Sequence, residues 1–198
     1  MDRRGSMESL LSGTGIAIAA AALTIIVFTL FRSTAPANEA ISLQSIASEI
    51  CGDIGTAAIS SVPCCYNKTY LAGGIKIRIT SDYVIASDEN GQEFARALPV
   101  RVYPGSYRSE GQVLWSDTAG MHEYFNRTFG SPGTAAVPLN RTAGGAVATF
   151  MKQARLEMAC TPLDIRSPEP LKIEKRFLHF FNDTSLLTEI EPYVFVSQ

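Results

Sequence analysis

The uncharged stretch from Ser9 to Phe31 constrains this chain more than any other feature. It follows a short head containing Arg3 and Arg4 and is closed by Arg32. From Gly13 to Phe31 the residues are apolar apart from small glycines and threonines. As a helix, residues 9–31 would rise roughly 35 Å, enough to cross a hydrocarbon core of about 30 Å. The sequence therefore predicts a basic cytoplasmic head (1–8), a transmembrane helix (9–31) and one extracytoplasmic α+β domain (32–198). A short head carrying Arg3 and Arg4 is the easier end to retain, which sets the N-terminus inside and the body outside. The expected location is a cell membrane, spanned once.

Charge narrows the partners. Beyond Arg32 there are 14 Lys and Arg against 17 Asp and Glu, a net charge of −3, interspersed rather than in blocks. No basic surface for nucleic acid is implied. Four of the six asparagines open an Asn-x-Thr triplet: Asn67, Asn126, Asn140 and Asn182. Because Ser and Thr together make up 33 of 198 residues, chance alone would make only about one asparagine in six a sequon. The excess predicts an exported glycoprotein with these four as candidate glycan sites.

The four cysteines, Cys51, Cys64, Cys65 and Cys160, are an even number and allow three connectivities as two disulfides. Direct bonding of neighbours is strained, which favours Cys64 and Cys65 dividing Cys51 and Cys160 between them. A bridge from Cys51 would close a loop of about 13 residues, worth roughly 2–4 kcal/mol. No Cys-x-x-Cys is present, and His122 and His179 are not spaced with the cysteines as ligands would be. No metal and no cofactor is expected.

Three readings compete for the N-terminal stretch. Ala35-Pro36-Ala37 has the form of a small-residue cleavage site, although the apolar run is far longer than the 7–15 residues typical of a secretory signal. A plain uncleaved anchor is the second. The third comes from the head: Arg3-Arg4-Gly5-Ser6, then Glu8, then the uncharged helix. This resembles the class III signal of archaeal type IV pilin-like surface proteins, and the likeness covers about residues 1–60. The resemblance implies cleavage by a prepilin peptidase between Gly5 and Ser6, with the helix retained as an anchor and as a packing spine. Glu8 would be the third mature residue, whereas many bacterial members carry their Glu at the fifth. Gly13, Gly15 and the run Ala19 to Ala22 suit close helix approach.

Past Pro36, residues 38–59 read as an amphipathic helix, with Leu43, Ile46, Ile50 and Ile54 on one face. Residues 74–80 alternate around Ile75, Ile77 and Ile79, a half-buried strand. Tyr83 to Ser87 follows, then a turn at Asp88 to Gly91 and a strand from Phe94 to Val102 broken by Pro99. Together these predict a three- or four-stranded antiparallel meander. Residues 104–142 are glycine-rich and irregular, and their aromatics are expected to pack on the body rather than to form a ligand platform. A helix over 144–159 and a hairpin of 171–181 with 186–196 complete the chain, Pro192 marking an edge.

Catalytic signatures do not emerge. His122-Glu123 lacks the second histidine of a zincin helix, and no nucleophile elbow or P-loop is present. The sequence predicts a non-enzymatic pilin-like subunit whose N-terminal helix packs with other subunits. The alternative is an anchored binding module that recognises a partner through 104–142.

Overall fold

The computed structural model describes residues 42–70, 73–182 and 187–198. The chain divides into two units, Met1–Ser42 and Leu43–Gln198. The expected head, the stretch 9–31, the Gly5/Ser6 site and Ala35-Pro36-Ala37 all lie outside the described residues. One expectation is corrected. No helix among the described residues is long and apolar enough to cross a membrane, so the single-pass placement with an extracellular body is not carried forward.

The body is α+β. Residues 42–59 are helical (α1), and Leu43, Ile46, Ala47, Ile50, Ile54 and Ala57 are all buried. Their spacing is the stripe read in the sequence, and it faces the first of two cores. The meander forms as β2 (Lys76–Ile79), β3 (Tyr83–Ser87) and β4 (Glu93–Ala97), antiparallel throughout. Asp88 accepts from the Gln92 amide through Oδ1, and Gly91 sits at φ 82°, so the turn between β3 and β4 has the chemistry expected. The fourth strand comes from beyond the meander: β9 (Leu163–Ile165) joins the outer edge of β2, giving the order β4-β3-β2-β9.

The segment expected as one broken strand over 94–102 divides between two sheets. After Pro99 the chain leaves the meander, and β5 (Val102–Pro104) pairs in parallel with β11 (Leu187–Ser197). The second sheet has the order β1 (Cys64–Lys68), β10 (Leu171–Asn182), β11 (Leu187–Ser197), β5, with β8 (Leu139–Asn140) also pairing β10. Strands β10 and β11 are the predicted hairpin, in register from Lys172↔Ser197 to Asn182↔Leu187. Pro192 lies opposite Phe177, beyond the Val194–Val196 segment that β5 covers, and so falls on an edge.

This hairpin is a wall between two cores. Leu171, Ile173, Val194 and Val196 face α1 and the meander. Leu178, Phe180, Tyr193 and Phe195, of opposite parity, face the second core. Two charged neighbours on β10 serve the two sides. Lys175 is buried and donates to the carbonyls of Ala58 (2.6 Å) and Ser60, closing the C-terminal end of α1. Glu174, also buried, pairs with Lys172 at 3.0 Å and with Arg176.

The region 104–142 is more ordered than its glycines suggest. It holds a hairpin of β6 (Tyr107–Ser109) and β7 (Gln112–Trp115), then a helix, α2 (Thr118–Phe129). Asp117 caps α2 by accepting from the Gly120 amide at 2.7 Å, and Gly130 ends it at φ 78°. Helix α3 (Arg141–Cys160) matches the helix read over 144–159, capped by Asn140 through the Ala143 amide.

Candidate functional site

The cleft with the most suggestive chemistry lies where β5, β11 and α3 end. Three local features build it. Thr161 donates its amide to the Glu157 carbonyl at 2.7 Å, and Pro162 then turns the chain from α3 into β9. On the opposite side, Gly105 donates to the Val196 carbonyl at 2.7 Å. A Cβ on Gly105 would meet Ser197 Cβ and Oγ at 2.8 Å, so only glycine lets the backbone after β5 lie this close to β11. Third, the Trp115 indole donates to the Pro104 carbonyl at 3.3 Å and tethers the same turn from the second core.

The resulting cavity has a volume of about 300 Å³. Pro104, Met158, Leu163 and Val196 supply apolar wall, and Tyr107, Arg108 and Glu157 supply the polar groups that set its chemistry. The Tyr107 ring is held 4.9 Å from that of Trp115 and 5.8 Å from that of Phe150, centroid to centroid. Only 4% of the residue is exposed, and its hydroxyl makes no hydrogen bond of ordinary geometry, although Glu157 and Ser109 are near enough to influence it. Among the described residues just one other buried side-chain oxygen, Asp88 Oδ2, shares that condition. Burial, followed by hydrogen bonding toward the Glu157 carboxylate, pushes the Tyr107 phenol up to about 12, with Ser109 opposing. Glu157 is half-buried and accepts from Gln153 Nε2 at 3.1 Å through Oε1. Arg108 is exposed at the rim. The last turn of α3 carries no basic residue, so nothing in that turn offsets the negative pole of the helix.

A second cavity of about 290 Å³ lies between the start of α3 and the β10–β11 hairpin, lined in part by Gly144, Phe180 and Glu191. Its acid groups are engaged: Tyr193 donates to Glu191 at 2.7 Å, and Asn182 Nδ2 to Glu189 at 3.4 Å.

The residues singled out in the sequence are scattered. Asn67 lies on β1, Asn126 on α2 and Asn140 before α3, all exposed, while Asn182 is half-buried at the end of β10. None lines the cleft at the end of α3. The two-disulfide expectation is not met: Cys51, Cys64, Cys65 and Cys160 are all free thiols. Cys51 is buried with its Sγ 3.8 Å from the Ala97 carbonyl, and Cys64 Sγ is 3.9 Å from that of Ala57, so each is turned to a backbone acceptor. Burial pushes the Cys51 thiol up, with Arg96 opposing. Cys65 and Cys160 are exposed. His122 Nδ1 lies 2.7 Å from the Pro132 carbonyl. Among the described residues no three His, Cys, Asp or Glu side chains gather as metal ligands would.

Of the cleft residues, Tyr107 falls among the aromatics of 104–142 expected to pack on the body, and Met158 falls within the helix expected over 144–159. Glu157 gave no signal, because a lone carboxylate on an amphipathic helix reads as solvated. Comparison with family models, with curated proteins and with solved structures found no match. The description as a pilin-like, archaeal, disulfide-bonded glycoprotein of the cell surface has no counterpart in these findings and is set aside.

Proposed function

We propose that this chain is a non-enzymatic binding module that recognises a ligand at the cleft between the β5–β6 turn and the end of α3. One observation carries the reading: a buried tyrosine hydroxyl that makes no hydrogen bond of ordinary geometry, near the Glu157 carboxylate, at a cavity of about 300 Å³. Buried polar groups are nearly always paired, and an unpaired one beside a cavity of ligand size suits a partner that arrives from outside. The cleft also opens on the first residues of 104–142, the region through which the binding-module alternative expects a partner to be recognised.

The test is a set of amide-correlation spectra of the isotope-labelled chain, recorded with a mixed library of small cationic, anionic and neutral compounds. Saturable shifts clustering at 104–108, 154–163 and 196–197 are expected. Binding that leaves those amides unmoved, or no binding by any member, rejects the cleft.

A further inference from the structure

The cleft chemistry narrows the ligand, on the premise that the cleft is the binding site. We propose that it takes a primary ammonium carried on a short apolar stem, with the ammonium at Glu157 and Tyr107. Three features agree on a cation. Glu157 places a carboxylate in the lining, and its hydrogen bond from Gln153 occupies Oε1. A carboxylate has about four acceptor sites, so this bond leaves capacity for an incoming donor. The carbonyl end of α3 adds negative potential with no basic residue in its last turn. The Tyr107 phenol keeps its proton at neutral pH, but its oxygen has lone pairs to accept from an N–H.

Arg108 is the opposing charge. It is exposed at the rim, where water screens it and its long side chain can turn outward. Glu157 is half-buried, so its field acts through a lower dielectric. The balance favours a cation over an anion. Met158, Leu163 and Pro104 then offer apolar surface to the stem, and the volume suits a chain of several carbons.

An ammonium of this form is found both on free alkylamines and on a lysine side chain of a partner protein. Titration calorimetry of the full chain separates them, using n-pentylammonium and N-acetyl-lysine-methylamide as probes, with n-pentanol and pentanoate as neutral and anionic controls. Saturable binding of one or both cations is expected, tighter than either control by about tenfold or more. The tighter cation identifies the source. Glu157→Gln keeps the shape and should abolish the preference for the cation over pentanol, and Tyr107→Phe should weaken the cation severalfold. Matched thermal melts of the variants check that folding is intact. Equal binding of pentanol and pentylammonium, or an unchanged preference in Glu157→Gln, overturns the ligand class while leaving the cleft as a site. Preference for pentanoate would assign the site to Arg108 instead. Binding of no probe overturns this ligand class, while the cleft itself stands or falls on the amide-shift test.

Discussion

Individual buried polar groups in this body divide into those with partners and one that matters for lacking one. Lys175 is paired: its ammonium meets two carbonyls at the end of α1. Lys175→Met keeps the stem but leaves both carbonyls without their donor, and should cost about 1–3 kcal/mol in a denaturant melt. Tyr107 behaves oppositely. Removing an unpaired buried hydroxyl relieves a desolvation cost, so Tyr107→Phe should leave the melting temperature unchanged or slightly raised. A marked loss of stability would mean that the hydroxyl has a partner in solution. Glu174 brings a pH dependence. Burial raises its pKa, but Lys172, Thr118 and Arg176 outweigh burial and hold it below the ordinary value. Since the folded value is the lower one, its stabilisation is complete above the unfolded pKa and disappears as pH falls through the folded one. Glu174→Gln should therefore lower the urea midpoint at about pH 6 and have much less effect at about pH 3.

Among the elements, those whose signal is local were readable from the sequence. The stripe on α1, the alternation around Ile77 and Ile79, and the two halves of the hairpin each carry their period in consecutive residues. Helix α2 was missed although Asp117 and Gly130 bracket it, because glycines on both sides masked a twelve-residue helix with few buried positions. Strands β5 and β9 could not be found locally. Each is three residues long and exists only because a longer strand, β11 or β2, offers an open edge. The cleft inherits this difficulty, since its walls meet only once β5 has left the meander for the other sheet. Gly105 is where that crossing can be broken. Gly105→Ala would force its methyl against Ser197 and the Val196 carbonyl, at a cost of about 1–3 kcal/mol, with amide shifts concentrated around the cleft.

For the body as a whole, the shared β10–β11 wall predicts that the two cores unfold as one cooperative unit. The chain has a single tryptophan, Trp115, and it is buried in the second core. Ile173 lies on the other face of the wall. Ile173→Ala should cost about 2–5 kcal/mol and shift the tryptophan fluorescence transition and the far-UV circular dichroism transition together. Two separated transitions would show that the cores unfold independently. This shared wall also holds the cleft, because Val196 and Ser197 at the end of β11 are part of its lining. Methyl spectra of the methionine-labelled chain, titrated with n-pentylammonium, read the cleft directly. Met158 lines it, whereas Met121 and Met151 are buried in the second core. The Met158 methyl should move with saturation while Met121 and Met151 stay in place, and Glu157→Gln should abolish the movement. A Met158 signal that stays fixed throughout, or that moves equally in the Glu157→Gln variant, would contradict the assignment of this cleft as the ammonium-binding site.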